Sequence, residues 1–127
     1  MAIALSPRET LMEFTIYHNP KCSKSRATLA LLTQHGVEPK VVEYLKTPPG
    51  KAELEAILGK LGIGPQQLLR KGEDIYKSKY AGKTLTDAQW IDALVEHPIM
   101  IERPIVVSGK RAVIGRPPEN VLPLLKS

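Results

Sequence analysis

A strand, a helix and a second strand follow one another near the start of the chain, and this order constrains the fold more than any other feature. Phe14 to His18 reads as a short strand, apolar at Phe14 and Ile16, and Asn19-Pro20 breaks it. From about Ser23 to His35 the pattern suits a helix. Ala27, Ala30, Leu31 and Gln34 share one face, and Gly36 is placed to end it. Val41 to Leu45 reads as the next strand. Such a βαβ unit implies parallel strands joined by a right-handed crossover.

The middle of the chain is helical. Leu54, Ile57, Leu58 and Leu61 follow the i, i+3, i+4, i+7 spacing of one helix face, closed by Gly62. Gly64-Pro65 opens a short segment ending at Leu68-Leu69-Arg70, and Lys71 to Lys83 reads as irregular or weakly helical. Thr86 and Gln89 match a capping box ahead of a helix carrying Trp90, Ile91, Leu94 and Val95. Ile105 to Ser108 and Arg111 to Gly115 then form a hairpin about Gly109-Lys110. A last helix starts at Pro117 and is short or bent at Pro123. The order βαβ, helical block, ββα predicts an α/β fold, a small mixed sheet with helices on its faces. Residues 1–13 show no period and read as a flexible lead, with 14–127 as a single domain.

Composition narrows the function. The single cysteine rules out an intrachain disulfide and with it a disulfide-stapled secreted scaffold. No apolar run approaches the roughly 20 residues of a membrane span. The N-terminal stretch lacks the basic and apolar regions of a signal peptide, so the cytoplasm is the expected compartment. The net charge of +5 permits anionic partners, but the cations are spread out and only one Phe, one Trp and four Tyr are present. A small anion is therefore expected rather than nucleic acid or membrane. With three histidines and one cysteine scattered along the chain, no zinc-site spacing is present and no metal is expected.

The chemistry concentrates in His18-Asn19-Pro20-Lys21-Cys22-Ser23-Lys24-Ser25-Arg26. Cys22 falls where the helix starts, beside unpaired amide N–H groups and the positive end of the dipole. Lys21, Lys24 and Arg26 add positive charge nearby in sequence. Both conditions favour thiolate over thiol, and the same amides suit an anion. A lone cysteine is more often a small buried hydrophobe, but one amid three cations at a helix start fits an activated nucleophile better. A dithiol motif would need a second cysteine where Ser25 stands. Any redox cycle must then borrow its second thiol from another molecule. Ser25 retains the capacity to donate a hydrogen bond to the thiolate.

These residues resemble the glutaredoxin-dependent arsenate reductase family, which shares its fold with the Spx-like regulators. The matching stretches are Ile16 to Cys22, Tyr44 to Pro49, Leu68-Leu69-Arg70-Lys71, His97-Pro98-Ile99 leading to Arg103 to Val107, and Gly115-Arg116-Pro117. The resemblance runs from Phe14 to about Leu125 and implies a thioredoxin-like fold with an inserted helical block. It implies that Cys22 attacks arsenate and that Arg70, Arg103 and Arg116 bind the oxyanion. It assigns His18 to favouring the thiolate and Pro104 to the cis-proline position beside the cysteine, and it also matches at Ser25 and Arg26.

Read alone, these arginines are ordinary: Arg70 ends an apolar segment, and Arg103 and Arg116 each precede a proline. The chemistry raises their interest, because a thiolate approaches a tetrahedral anion only when that charge is neutralised, and guanidinium forks suit oxyanions. The resemblance implies a monomer with no bound cofactor, glutathione as co-substrate and glutaredoxin as partner. Two alternatives follow from the same fold: an Spx-like regulator that binds RNA polymerase, or a paralogue acting on a different thiol or oxyanion. Ser25 in place of a second cysteine, and the retained arginines, favour the reductase.

Overall fold

Strand β1 (Phe14–His18) opens the computed structural model, which describes residues 14–125; the N-terminal lead lies outside the described residues. Helix α1 (Ser23–Gln34) and strand β2 (Lys40–Glu43) follow, as the βαβ pattern predicts. Then come α2 (Lys51–Leu61), a 3-10 turn (Pro65–Leu68), a π-helical turn (Tyr76–Tyr80), α3 (Asp87–Glu96) and a second 3-10 turn (Pro98–Met100). Strands β3 (Ile105–Ser108) and β4 (Arg111–Ile114) lead into a C-terminal 3-10 helix (Pro118–Leu125). This is the expected mixed α/β order of a thioredoxin-like fold with an inserted helical block. The described residues form two compact units, one taking in the chain to Val42 and from Arg103 onward, the other Glu43–Glu102. No helix among the described residues is long and apolar enough to cross a membrane.

In the first unit the sheet runs β2-β1-β3-β4. β1 lies antiparallel to β3, with Phe14 opposite Ser108 and Tyr17 opposite Ile105. Ser108 pairs with Arg111 across the Gly109-Lys110 turn, and Gly109 adopts φ 60, which a side chain rarely permits. The core is Ile16, Leu32, Val106, Val121 and Leu124, so α1 and the C-terminal helix both close onto the sheet. That last helix is 3-10 along its whole length and passes through Pro123. With about three residues per turn, Val121 and Leu124 eclipse each other on the face they bury.

One expectation is overturned in α1. The side chains it buries are Ser25, Thr28 and Leu32, while Ala27, Ala30 and Gln34 are exposed and Leu31 is half-buried. The hidden face is polar near its start because both hydroxyls find partners: Ser25 Oγ bonds His18, and Thr28 Oγ1 donates to backbone carbonyls. A satisfied polar group can be buried at little cost.

The second unit follows local signals. Gly62 ends α2 with φ 71, and Leu54, Ile57 and Leu58 are its buried face. Thr86 Oγ1 accepts from Gln89 N at 3.2 Å, while Gln89 Oε1 accepts from Thr86 N at 2.9 Å. The π-helical turn is closed by Ala81 N donating to Tyr76 O at 2.9 Å. Its two tyrosines lie against Trp90, with ring centroids 6.4 and 5.9 Å away.

Candidate active site

Four hydrogen bonds shape the loop that carries Cys22. Cys22 N donates to Asn19 O at 3.0 Å, and Lys21 N donates to Asn19 Oδ1 at 3.0 Å. Asn19 N donates to Ser25 Oγ at 3.0 Å, and Arg26 Nη1 donates to Pro20 O at 2.9 Å. Asn-Pro here builds a turn, and Ser25 and Arg26 reach back from the first turn of α1 to hold it. Cys22 is thereby placed at the N-cap, half-buried, with extended backbone (φ −96, ψ 124).

Burial pushes the Cys22 thiol up, but the combined opposing effects prevail and the net shift is downward. These are the Ser25 N–H, the Arg103 guanidinium, by hydrogen bond and by charge, and then the Lys24 N–H. The two amides belong to the second and third positions of the helix, the groups a capping side chain addresses. Both favour the charged sulfur as backbone hydrogen-bond donors. Arg103, far along the chain, supplies charge that favours the thiolate, where the sequence suggested the neighbouring cations. Arg26 is engaged with Pro20 O, and Lys24 contributes through its backbone amide. Iodoacetamide labelling of Cys22 followed against pH should therefore show a midpoint below the ordinary cysteine value of about 8.5. A midpoint at or above it would remove the activated nucleophile.

Arg116 joins from the segment after β4. Its Nη1 lies 3.8 Å from Cys22 Sγ and donates to Arg103 O at 3.5 Å. Two guanidinium groups thus meet one sulfur. His18 ends β1 buried, at 6% exposure, rather than solvated, and its Nδ1 stands 2.6 Å from Ser25 Oγ. Because that oxygen already accepts from Asn19 N, two proton arrangements suit it. Ser25 donates to a bare Nδ1, or it accepts from Nδ1–H. Pro104 is fully buried, and the Arg103–Pro104 and Arg116–Pro117 peptides are both cis.

The structure gathers Cys22, His18, Ser25, Arg26, Arg103, Pro104 and Arg116 in the first unit. Arg70 lies in the second. There Leu69 bridges to Ile101, which brings Arg70 between two carboxylates. Its Nε is 3.3 Å from Glu73 Oε2 and its Nη1 3.3 Å from Glu102 Oε1. Sequence placed Arg70 only at the end of an apolar segment and pointed to neither carboxylate.

Three residues to which the sequence assigned no role in the site support Arg116. Gly115 has no room for a side chain, since a Cβ would lie 2.7 Å from Thr28 Oγ1 and 3.0 Å from Pro104 Cγ. Thr28 Oγ1 reaches Lys24 O at 2.8 Å and Gly115 O at 3.2 Å. Asn120 Nδ2 donates to Ile114 O at 3.2 Å and Arg116 O at 3.1 Å. The only sequence signal was a glycine beside Arg116-Pro117, which reads as a turn residue as readily as a close approach.

Comparison with known proteins fits this geometry. Residues 17–124 match the model of the ArsC family. An uncharacterized Escherichia coli K12 protein, YfgD, is 50% identical over 112 residues, covering 87% of this chain and 94% of that protein. The arsenate reductase of Haemophilus influenzae KW20 Rd is 47% identical over 116 residues, covering 90% of this chain and 100% of that protein. The solved arsenate reductase from Vibrio cholerae superposes with a TM-score of 0.85 at 47% identity, covering 88% of this chain and 97% of that one.

Proposed function

The chain belongs to the ArsC family, and from that premise we propose that it is an arsenate reductase that uses glutathione and glutaredoxin as external thiol donors. The observation that carries this reading is the meeting of Arg103 and Arg116 at the Cys22 sulfur. Guanidinium forks at a thiolate neutralise an incoming oxyanion at the point of attack.

The Cys22 thiolate bonds to arsenic, and an arsenate oxygen leaves as water once protonated. The thiol of glutathione attacks the adduct. Arsenic takes up an electron pair and departs as arsenite, and the two sulfurs are oxidised together to a Cys22–glutathione disulfide. A glutaredoxin thiol then attacks the glutathione sulfur and releases Cys22 as thiolate. The external relay is needed because the sequence has a single cysteine, and Ser25 stands where a dithiol motif would place the second. The thiol-reducing cytoplasm suits such a cycle, and a monomer suffices for it. Arg70 receives the same oxyanion role by resemblance, and an anion would compete for it with Glu73 and Glu102.

The test is an assay coupled through glutathione reductase to NADPH. NADPH loss should require the protein, arsenate, glutathione and glutaredoxin together. Loss that persists without arsenate, or no loss with every component present, would overturn the proposal.

A further inference from the structure

The Arg116 side chain is exposed, yet the backbone that carries it is held from several sides. Three consecutive carbonyls are held by side chains from other elements. Ile114 O and Arg116 O both accept from Asn120 Nδ2, and Gly115 O lies 3.2 Å from the buried Thr28 hydroxyl. The Gly115 amide is also used, donating to Pro104 O at 2.9 Å. The close approach of Thr28 and Pro104 around Gly115 leaves no space for this peptide to shift toward α1. Thr28 belongs to the helix that Cys22 begins, and its hydroxyl also bonds Lys24 O at 2.8 Å in the first turn. One side chain therefore touches both the turn that presents the sulfur and the peptide that presents the arginine.

We propose that Thr28 and Asn120 are positioning residues. Thr28 from α1 and Asn120 from the C-terminal helix fix the 114–116 backbone so that the Arg116 guanidinium stands at the Cys22 sulfur. For the reaction this rests on the arsenate reductase reading, but the placement of Arg116 at the thiolate does not. Neither residue touches the reacting atoms. Their effect is transmitted through Arg116, where small displacements matter because an oxyanion clamp works only within narrow distances.

The probes are Thr28→Val, which keeps shape and removes the hydroxyl, and Asn120→Asp, which keeps shape and removes the donor. Thr28→Ser keeps the hydroxyl and is the rescue variant. Arg111→Ala is the control, because Arg111 donates to Pro123 O and Leu124 O of the same C-terminal helix and to none of the 114–116 carbonyls. Three readouts are taken: the melting temperature, KM and kcat for arsenate, and the pH midpoint of Cys22 alkylation. Thr28→Val and Asn120→Asp should each raise KM for arsenate by about tenfold and, because Arg116 Nη1 donates to Cys22 Sγ at 3.8 Å, move the alkylation midpoint up. Thr28→Ser should stay near the parent. Arg111→Ala should lower melting alone. Asn120 is exposed, so its variant keeps the test alive if Thr28→Val fails to fold.

Folded Thr28→Val or Asn120→Asp with the parental KM and alkylation midpoint would overturn the proposal. So would an Arg111→Ala protein that moved both as far, since general loosening would then explain them. If the parent reduces no arsenate while the alkylation midpoint still rises in the two variants, the positioning role stands and the proposed reaction falls.

Discussion

Cys22→Ser is expected to take arsenate turnover down to the uncatalysed background. Serine is essentially un-ionised at neutral pH, forms no bond to arsenic that leads to reduction, and has no sulfur to share in a mixed disulfide. The substitution is well suited to its site in every other respect. Cys22 is an N-cap without a side-chain cap bond, and serine is among the preferred N-cap residues, worth about 1 kcal/mol over a non-capping one. The variant should therefore melt at the parental temperature or slightly above while losing all activity. Intact mass after treatment with oxidised glutathione should show the adduct in the parent and none in the variant. Turnover above background in a folded Cys22→Ser protein would remove the nucleophile from the mechanism.

The arginine substitutions should come next in size. Removing a donor that acts on developing charge costs on the order of 10² to 10³ in rate, and Arg103→Ala and Arg116→Ala should each fall in that range. Lysine should restore part of the loss, since it returns the charge without the planar fork. Arg103→Ala should also raise the alkylation midpoint of Cys22, because its guanidinium favours the thiolate by hydrogen bond and by charge. The double variant should lose less than the product of the single losses, as both groups serve one anion and Arg116 also bonds Arg103 O. Melting must accompany the rates, since Arg103 adjoins the buried Pro104. Well-folded variants turning over like Arg111→Ala would leave Cys22 without an oxyanion cradle, and the non-catalytic Spx-like reading would lead.

What sequence revealed was what neighbours in the chain decide. Thr86 with Gln89, Gly62 after α2 and the Gly109-Lys110 turn each act within a few residues, and each is found in place. The junction that positions Cys22 was equally local, because Asn19, Pro20 and Cys22 close one turn. The buried face of α1 escaped because a search for apolar period cannot register Ser25 and Thr28, whose burial depends on partners as distant as Gly115. The source of the thiolate's stabilising charge escaped for the same reason. Lys21 and Lys24 are close in sequence, but Arg103 is close in space. The pairing of Arg70 with Glu102 needed the Leu69–Ile101 bridge, which no pattern in either segment announces.

The chain's single tryptophan, Trp90, lies 2% exposed within the second unit, against Tyr76 and Tyr80. Its emission is therefore a private optical signal of the inserted block. The unit that bears Cys22 contributes no indole and stays dark in such a measurement. A denaturant titration read by tryptophan fluorescence follows the block, and one read by far-UV circular dichroism follows the backbone of the whole chain. Coincidence of the two curves is the standard test for a single cooperative transition, and this protein carries both reporters without any added dye or label site.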